Sequence, residues 1–387
     1  MRQHLFTRPE KKYNTFADLK GAGGFDENYL HESFYKEHIP EFVAAALERL
    51  YGNIYCTLGR ISAYESLEGI STYVSQRQSV IEAIILFRDE GQIISIVNQQ
   101  ITLPANAISS FCESVFSRYK NAKVVRFYAI DTHLTCFSRF FQQTVALQEN
   151  VINLPSEKSI YLSSIRPQFR KQILISGQNI KADHPTFQMH LGSQDAIKAE
   201  TVQAVLKLAQ KRMLAKGKTD YTGKINTVAL VKLMKSHGHI AFATINGNVC
   251  GGAMWLSVGK RHFHQIAAHD PEYDRYMLGN QLWMTAILRC LDLGGKECWL
   301  MGGADAHKAR FRAEKRTFHS IIIYRSKLCA FFSLQIFVPC WSTQQAARLQ
   351  AAAILIAHRP DRAGRLVAQA IAVIRSLRAT MRERHTR

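Results

Sequence analysis

The chain has 387 residues and a formal net charge of +20, with 47% hydrophobic and 21% charged residues. This composition excludes an intrinsically disordered protein, and the longest apolar runs fall short of the roughly 20 residues that a membrane span needs. The basic charge favours an anionic partner, for which coenzyme A, nucleic acid and an anionic membrane surface are all candidates.

The cysteine pattern and the N-terminal residues indicate the cellular compartment. The eight cysteines include no Cys-x-x-Cys pair, and most lie in apolar runs, as Cys298 does beside Trp299. This pattern is typical of reduced, buried thiols and predicts neither a disulfide framework nor a metal site. The basic, polar start lacks the apolar core of a signal peptide. We therefore expect a cytoplasmic protein without a metal, with peripheral association at the inner membrane as an option.

The first 150 residues predict alternating helices and strands after an irregular start. Residues 1 to about 35 are polar and aromatic and predict an irregular arm, followed by a helix over 40–51. The next segments predict a strand at 73–87, a turn at 89–91, a returning strand at 92–97, a helix from Pro104 to residue 119, and a strand at 124–130.

A basic stretch follows the linking region that begins near residue 152. Arg166, Arg170 and Lys171 are spaced so that they would cluster on a short helix. Such a cluster is either a solvated basic face or the lining of an anion-binding cleft, and the sequence does not decide between them. Apolar residues at helical spacing then predict a long helix over 195–214 and a shorter one over 227–234.

Residues 240–324 predict the segment around which the fold is organised. An apolar strand at 240–245 is followed by Asn246-Gly247-Asn248, a strong hairpin-turn signal, and by a returning strand at 249–258. A third strand at 263–269 contains His264 and His269. Because side chains alternate along a strand, we expect these two histidines to point to opposite faces of the sheet.

A glycine at the start of the next helix is the main candidate for ligand binding. A polar loop begins at Asp270, and helical spacing predicts a helix over 278–293 with Gly279 in its first turn. The free N–H groups and positive dipole end of a first turn bind phosphate, and glycine leaves room for the ligand's oxygens. On local pattern alone the alternative is an ordinary strand–loop–helix in which Gly279 only lets the loop turn.

The run from Cys250-Gly251-Gly252 to Gly279, with Gly294-Gly295, Gly302 and Lys308, resembles the GNAT superfamily of N-acetyltransferases. It is most similar to the CelD/BcsL-like branch of bacterial cellulose and exopolysaccharide biosynthesis, and the similarity extends loosely back to about residue 51. With the element order, the resemblance implies an α+β (α/β mixed) fold of two tandem GNAT-like halves, as in FemAB-type transferases. Each half would be a mixed, mostly antiparallel sheet flanked by helices.

The expected domains are an arm and helix at 1–50, a degenerate half at 51–150, an acyl-CoA-binding half at 151–327, and a basic helical tail at 328–387. The first half has Pro104-Ala105-Asn106 where a glycine would be needed, so we expect it to bind no cofactor. The tail predicts either two helices packed on the main domain or a basic amphipathic anchor on an anionic membrane.

The resemblance also implies a site. In this superfamily the pyrophosphate of acetyl-CoA, or of another acyl-CoA, is held at the loop and helix start, and the acyl group lies beside the third strand, whose N–H groups polarise the thioester carbonyl. Relatives often have a Tyr-Lys pair where this chain has His307-Lys308, so a tyrosine acid is not carried over. The expected coenzyme-binding residues are Arg275, Leu278, Gly279, Asn280 and Lys308. The acid–base candidates are His264, His269, Asp270 and His307, and the substrate-cleft candidates are Arg166, Arg170 and Lys171.

The sequence therefore predicts an acyl-CoA-dependent N- or O-acyltransferase acting on an amine or hydroxyl acceptor, with a role in surface polysaccharide or envelope metabolism implied by the resemblance. One alternative is a FemAB-like aminoacyl transferase that uses aminoacyl-tRNA, which the basic charge would suit. The other is a non-catalytic GNAT-fold accessory protein that binds a partner or a membrane.

Overall fold

The computed structural model describes residues 30–215, 226–302, 305–333 and 336–338, and within these ranges the chain forms twelve strands and ten α-helices. The strands are β1 Leu30–Tyr35, β2 Ile70–Arg77, β3 Val80–Asp89, β4 Ile93–Ile96, β5 Val124–Ile130, β6 Phe141–Asn153, β7 Gln188–Ser193, β8 Gly238–Ile245, β9 Asn248–Val258, β10 Arg261–His269, β11 Glu297–Trp299 and β12 Glu314–Tyr324. The helices are α1 Phe42–Tyr51, α2 Leu58–Tyr64, α3 Ala105–Arg118, α4 Lys158–Ser164, α5 Pro167–Asp183, α6 Ala199–Ala215, α7 Thr227–His237, α8 Leu278–Asp292, α9 Asp305–Ala309 and α10 Lys327–Phe332.

The strands form one mixed sheet in the order β1-β2-β3-β4-β5-β12-β6-β11-β10-β9-β8-β7. Its neighbours are antiparallel except for β4 with β5 and β10 with β11, which are parallel. In each parallel pair one helix, α3 or α8, connects the two strands. The element order of β1 to β6 therefore recurs in β7 to β12, which confirms the mixed fold with two similar halves.

The last strand of each half is exchanged into the other half. β12 lies between β5 and β6, and β6 lies between β12 and β11. Each exchanged strand is therefore hydrogen-bonded on both sides to strands of the other half. The predicted boundary at residue 150 falls inside β6, where the sheet is continuous.

Two predicted elements in the first half differ from the structure. The strand predicted at 73–87 is the hairpin β2–β3, whose turn residues Gln78 and Ser79 have φ of 48° and 64°. Such turns favour Asn and Gly, so Gln-Ser gives no sequence signal. The arm predicted up to residue 35 ends in an edge strand, β1, that pairs with β2. Residues 339–387 of the predicted tail lie outside the described residues.

Helices cover both faces of the second half of the sheet, with α5 and α8 on one face and α6 and α7 on the other. Two successive glycines of β9 allow this close packing. A Cβ on Gly251 would lie 2.9 Å from Leu282 of α8, and one on Gly252 would lie 2.3 Å from Val205 of α6. Among the described helices, none has both the length and the apolar composition to cross a membrane.

A β-bulge in β10 changes the direction of its histidines. The register of β10 against β9 shifts just after His264, so Gln265 is an extra residue. Such a residue reverses the alternation of side chains beyond it. His264 stacks on Trp283 of α8 with ring centroids 4.7 Å apart, and the ring of His269 lies against Gly279 of the same helix. The prediction of opposite faces is therefore wrong.

The same strand has an open edge. β10 and β11 pair only over Arg261–Phe263 and Glu297–Trp299. Beyond Phe263, β10 has no strand partner on this side within the described ranges, although it continues to His269. Its backbone groups on that edge are therefore available for hydrogen bonds other than those of the sheet.

Candidate active site

The loop between β10 and α8 is fixed by its first residue. The Asp270 carboxylate accepts a hydrogen bond from the Glu272 N–H at 3.2 Å and so caps a 3-10 turn over Pro271–Tyr276. Lys211 of α6 lies 2.9 Å from the same carboxylate, and this contact holds the pKa of Asp270 below its ordinary value. Asp270 is thus placed as a cap and ion-pair partner of the loop.

A cleft of about 220 Å³ lies at the N-terminus of α8. The first backbone bonds of the helix run from the N–H groups of Asn280 and Gln281 to the Met277 oxygen, at 2.8 and 3.1 Å. The N–H groups of Leu278 and Gly279 precede these bonds, and such groups attract anions. The cleft is lined by Arg212, His269, Asp274, Met277, Gly279, Asn280, Trp283 and His307.

His269 is oriented by a carboxylate and a guanidinium. Its Nε2 lies 2.6 Å from Asp274 Oδ1, and its Nδ1 lies 3.4 Å from Arg212 Nη1. Because a guanidinium only donates hydrogen bonds, Nδ1 is the acceptor and Nε2 carries the proton given to Asp274. Asp274 therefore supplies a negative charge on one side of the ring, and Arg212 a positive charge on the other.

Gly279 and His269 depend on each other. A Cβ on Gly279 would lie 2.8 Å from Cε1 and 2.9 Å from Nδ1 of His269. Real Cβ contacts are longer than this, so any side chain at this position would displace the imidazole. Gly279 lies in the first turn of α8, as predicted, and its lack of a side chain also makes room for the histidine.

His307 and Lys308, the two site candidates that follow β11, occupy different environments. His307 Nε2 lies 2.8 Å from Asn280 Oδ1, so His307 joins the cleft from α9. The buried Lys308 ammonium donates to the carbonyl oxygens of Met301 and Gly302, each at 2.6 Å. Lys308 therefore holds the chain after β11 and does not line the cleft.

His264 lies in the core. Its side chain is fully buried and is stacked between Trp255 at 5.6 Å and Trp283 at 4.7 Å, measured between ring centroids. Trp283 lines the cleft, and His264 lies behind it.

The remaining loop residues contribute less to the cleft. The Arg275 side chain is 71% exposed, with its guanidinium over the ring of Tyr276 and 3.7 Å from Asp183 of α5. The Leu278 side chain is buried in the core, so only its backbone N–H faces a ligand.

The three basic candidates lie at the start of α5, which is 17 residues long and not the short helix predicted. Arg170 donates to the Leu162 oxygen at 2.8 Å, and Lys171 is exposed. Arg166 lines a separate cavity of about 220 Å³ together with Arg310. None of the three lines the cleft at α8.

Apart from the cleft at α8, a cluster of polar side chains around Glu149 lies where the two halves of the sheet meet. Glu149 of β6 is buried, and its Oε2 has no hydrogen-bond partner among the described residues. Burial raises the pKa of its carboxyl to about 7, against the opposing effects of the Lys308 ammonium and a hydrogen bond from Gln100. Burial also raises the pKa of Tyr55 to about 12. The nearby Glu149 charge also raises this pKa, and a hydrogen bond with Gln265 lowers it. Glu149 and Tyr55 therefore lie near the bulge in β10 at Gln265.

The sequence did not predict Arg212, Asp274 or Glu149. Asp274 returns to His269 only because the 3-10 turn folds the loop back on the strand. Arg212 comes from α6 on the other face of the sheet, and Glu149 from an exchanged strand. These contacts depend on tertiary packing, and no local spacing signals them.

Comparisons with known proteins agree with this architecture. Residues 168–309 match the family model of the acetyltransferase (GNAT) domain, a range that includes every residue lining the cleft. A comparison with curated proteins found no match. The structure of FemX is similar with a TM-score of 0.55 and 8% identity, covering 75% of this chain and 96% of that chain. The C-terminal domain of a putative lysylphosphatidylglycerol synthetase from Agrobacterium fabrum gives 0.50 and 12%, covering 76% and 95%. At these identities the likeness shows the fold alone.

Proposed function

We propose that this protein transfers an acyl group from acyl-CoA to an amine or hydroxyl acceptor, and that the cleft at α8 holds the coenzyme. The observation that carries the proposal is the start of α8, where the N–H groups of Leu278 and Gly279 precede the first backbone bonds of the helix. The GNAT match over residues 168–309 supports the same reaction class. Acetyl-CoA is the first donor to test.

The cleft suits the phosphate end of the coenzyme. The two N–H groups and the helix dipole favour a pyrophosphate, and Arg212 adds a positive charge at the wall. The absence of a Cβ at Gly279 leaves the approach to these donors open. His269 and His307 border this end, so we assign them to positioning the coenzyme rather than to the reacting carbonyl.

The open edge of β10 suits the thioester end. The pantetheine arm separates the thioester from the pyrophosphate, so the reacting carbon must lie well away from Gly279. The bulge at Gln265 lies further along β10 from the start of α8 than His269 does, and the edge of β10 beyond Phe263 has no strand partner within the described ranges. We propose that the thioester lies beside the bulge, where backbone N–H groups polarise its carbonyl.

Glu149 is the residue that we assign as the general base. Its carboxyl has a pKa raised by burial to about 7, which allows it to be ionised and still basic near neutral pH. It accepts a proton from the acceptor's amine or hydroxyl as that nitrogen or oxygen attacks the thioester carbon. The carbon–sulfur bond then breaks, and the coenzyme leaves as a thiol after taking up one proton. The products are an amide or ester and free coenzyme A.

Donor binding tests this proposal. Calorimetric titration of the full chain with acetyl-CoA should give one site per chain, with affinity that falls when Arg212 is replaced by Gln. The matched control is Arg88→Gln, a change in the first half of the sheet. Absence of acetyl-CoA binding by folded protein would overturn the proposal.

A parallel titration with aminoacyl-tRNA tests the second candidate, an aminoacyl transferase, which the net charge of +20 favours. Tight binding of aminoacyl-tRNA without binding of acetyl-CoA would establish that candidate instead. Acetyl-CoA binding with no thiol release across a panel of amines and alcohols would favour the accessory-protein alternative.

A further inference from the structure

A histidine and two cysteines converge in the core behind the cleft. His264 of β10, Cys290 of α8 and Cys298 of β11 have a ring nitrogen or a sulfur each within 4.8 Å of the others. All three side chains are fully buried. The two cysteines are separated by seven residues, a spacing without a zinc signature, and only the packing of α8 on the sheet brings them together.

His264 makes no hydrogen bond of standard geometry in this position. Neither ring nitrogen has such a partner among the described residues, and the Cys298 thiol is the polar group that interacts with the ring. Trp255 and Trp283 cover the two faces of the ring, so only its edge is available for a polar contact. An imidazole buried without a partner costs free energy, which a ligand at the ring edge would offset.

We propose that His264, Cys290 and Cys298 bind one Zn²⁺ ion. Imidazole nitrogen and thiolate sulfur are the preferred ligands of zinc, whereas Ca²⁺ and Mg²⁺ require oxygen ligands. Tetrahedral zinc with ligand distances of about 2.0–2.3 Å would bring the three atoms to about 3.5–3.8 Å from one another, a contraction of at most about 1.3 Å.

Charge balance favours a divalent thiophilic ion such as zinc over a monovalent one. Two thiolates and a neutral imidazole carry a charge of −2, so Zn²⁺ makes the buried site neutral. Cu⁺ would leave an uncompensated negative charge in an apolar core, which is costly. Binding releases one proton from each thiol to solvent, so zinc affinity must rise with pH. The ion would tie the C-terminal part of α8 to β10 and β11.

The full chain, purified under reducing conditions, provides the first test. We expect one tightly bound zinc per chain by elemental mass spectrometry, and X-ray absorption at the zinc edge should show two sulfur neighbours and an imidazole. After removal of the zinc, Co²⁺ should give thiolate charge-transfer bands at one equivalent. Folded protein that binds neither ion, or that binds zinc with no sulfur neighbours, would overturn the proposal.

The second test uses variants. Cys298→Ala should abolish the Co²⁺ charge-transfer bands, whereas Cys112→Ala, at a fully buried cysteine in the first half, should retain them. Retention of the bands by Cys298→Ala would overturn the assignment. If Cys298→Ala does not fold, the absorption spectrum of the unaltered protein decides. A Cys290–Cys298 disulfide found in protein purified with reductant would also overturn it.

Discussion

In the proposed coenzyme site, Gly279 leaves room for a neighbouring side chain, His269. We predict that Gly279→Ala weakens acetyl-CoA binding by at least about tenfold, a loss of about 1.4 kcal/mol. The reason is that the new Cβ would lie 2.8 Å from the His269 ring and must displace it. Helix propensity alone would stabilise the variant by up to about 1 kcal/mol, so a gain in stability does not contradict the prediction.

Gly177→Ala is the matched control for that change. Gly177 is in the interior of α5, where a Cβ would meet only the Gln281 side chain, at 3.3 Å. Calorimetry and thermal melting on both variants separate the effect on acetyl-CoA affinity from the effect on helix stability. Unchanged acetyl-CoA affinity in folded Gly279→Ala would remove this glycine from the site.

Glu149 gives a kinetic prediction. Glu149→Gln should lower kcat by about 10²–10⁴-fold, the usual contribution of a general base, and leave the affinity for acetyl-CoA unchanged. The measurement is thiol release from acetyl-CoA with an acceptor, alongside calorimetry. Glu314→Gln, at an exposed position of β12, is the control. A kcat within about threefold of the unaltered protein would exclude Glu149 as the base.

The residues of the site differ in how far a sequence can reveal them. His269 ends a strand and Gly279 begins the helix that follows, and this local order signals them. Glu149 gives no such signal, because its importance comes from burial beside the other half. Strand alternation is a local rule and predicts opposite faces for His264 and His269, whereas the bulge between them has no sequence signal.

At the scale of elements, β6 carries a buried acid into the exchanged part of the sheet. The ordinary pKa of Glu149 is 4.5, and its pKa in the folded protein is about 7. Between these values the unfolded chain has released a proton that the folded chain retains. The free energy of unfolding should therefore fall as the pH rises through this window and show no further contribution from Glu149 above it.

Glu149→Gln should remove that contribution. We predict that the variant's free energy of unfolding, relative to that of the unaltered protein, increases from the acidic to the neutral end of the window. Urea unfolding at both ends measures this difference, and other titrating groups cancel in the comparison. Parallel pH dependences for the two proteins would show that the carboxyl has an ordinary pKa in the folded state.

Turn chemistry explains which elements the sequence predicts. The Asn246-Gly247 turn joins β8 to β9 as predicted, because both residues have positive φ, 51° and 76°, which Asn and Gly adopt at low cost. Gln78 and Ser79 adopt the same region without such a signal. The sequence predicts the helices α3, α7 and α8 because each has apolar residues at helical spacing that pack against the sheet.

At the scale of the whole molecule, strand exchange makes the site a product of both halves. Glu149 belongs to a strand of the first half that is inserted beside β11 of the second. The coenzyme cleft, by contrast, lies entirely within residues 212–307. In the proposed mechanism, donor binding therefore lies in one half and the base at the junction, so we expect the reaction to need the first half as well.

Amide hydrogen exchange with and without acetyl-CoA tests the central claim most directly. The N–H groups of Leu278 and Gly279 precede the first bonds of α8 and should exchange quickly in the free protein. We predict that acetyl-CoA slows exchange at these two amides and along β10 beyond Phe263. Saturating acetyl-CoA that leaves both regions unprotected, or that protects only other parts of the chain, would contradict the assignment of the coenzyme site.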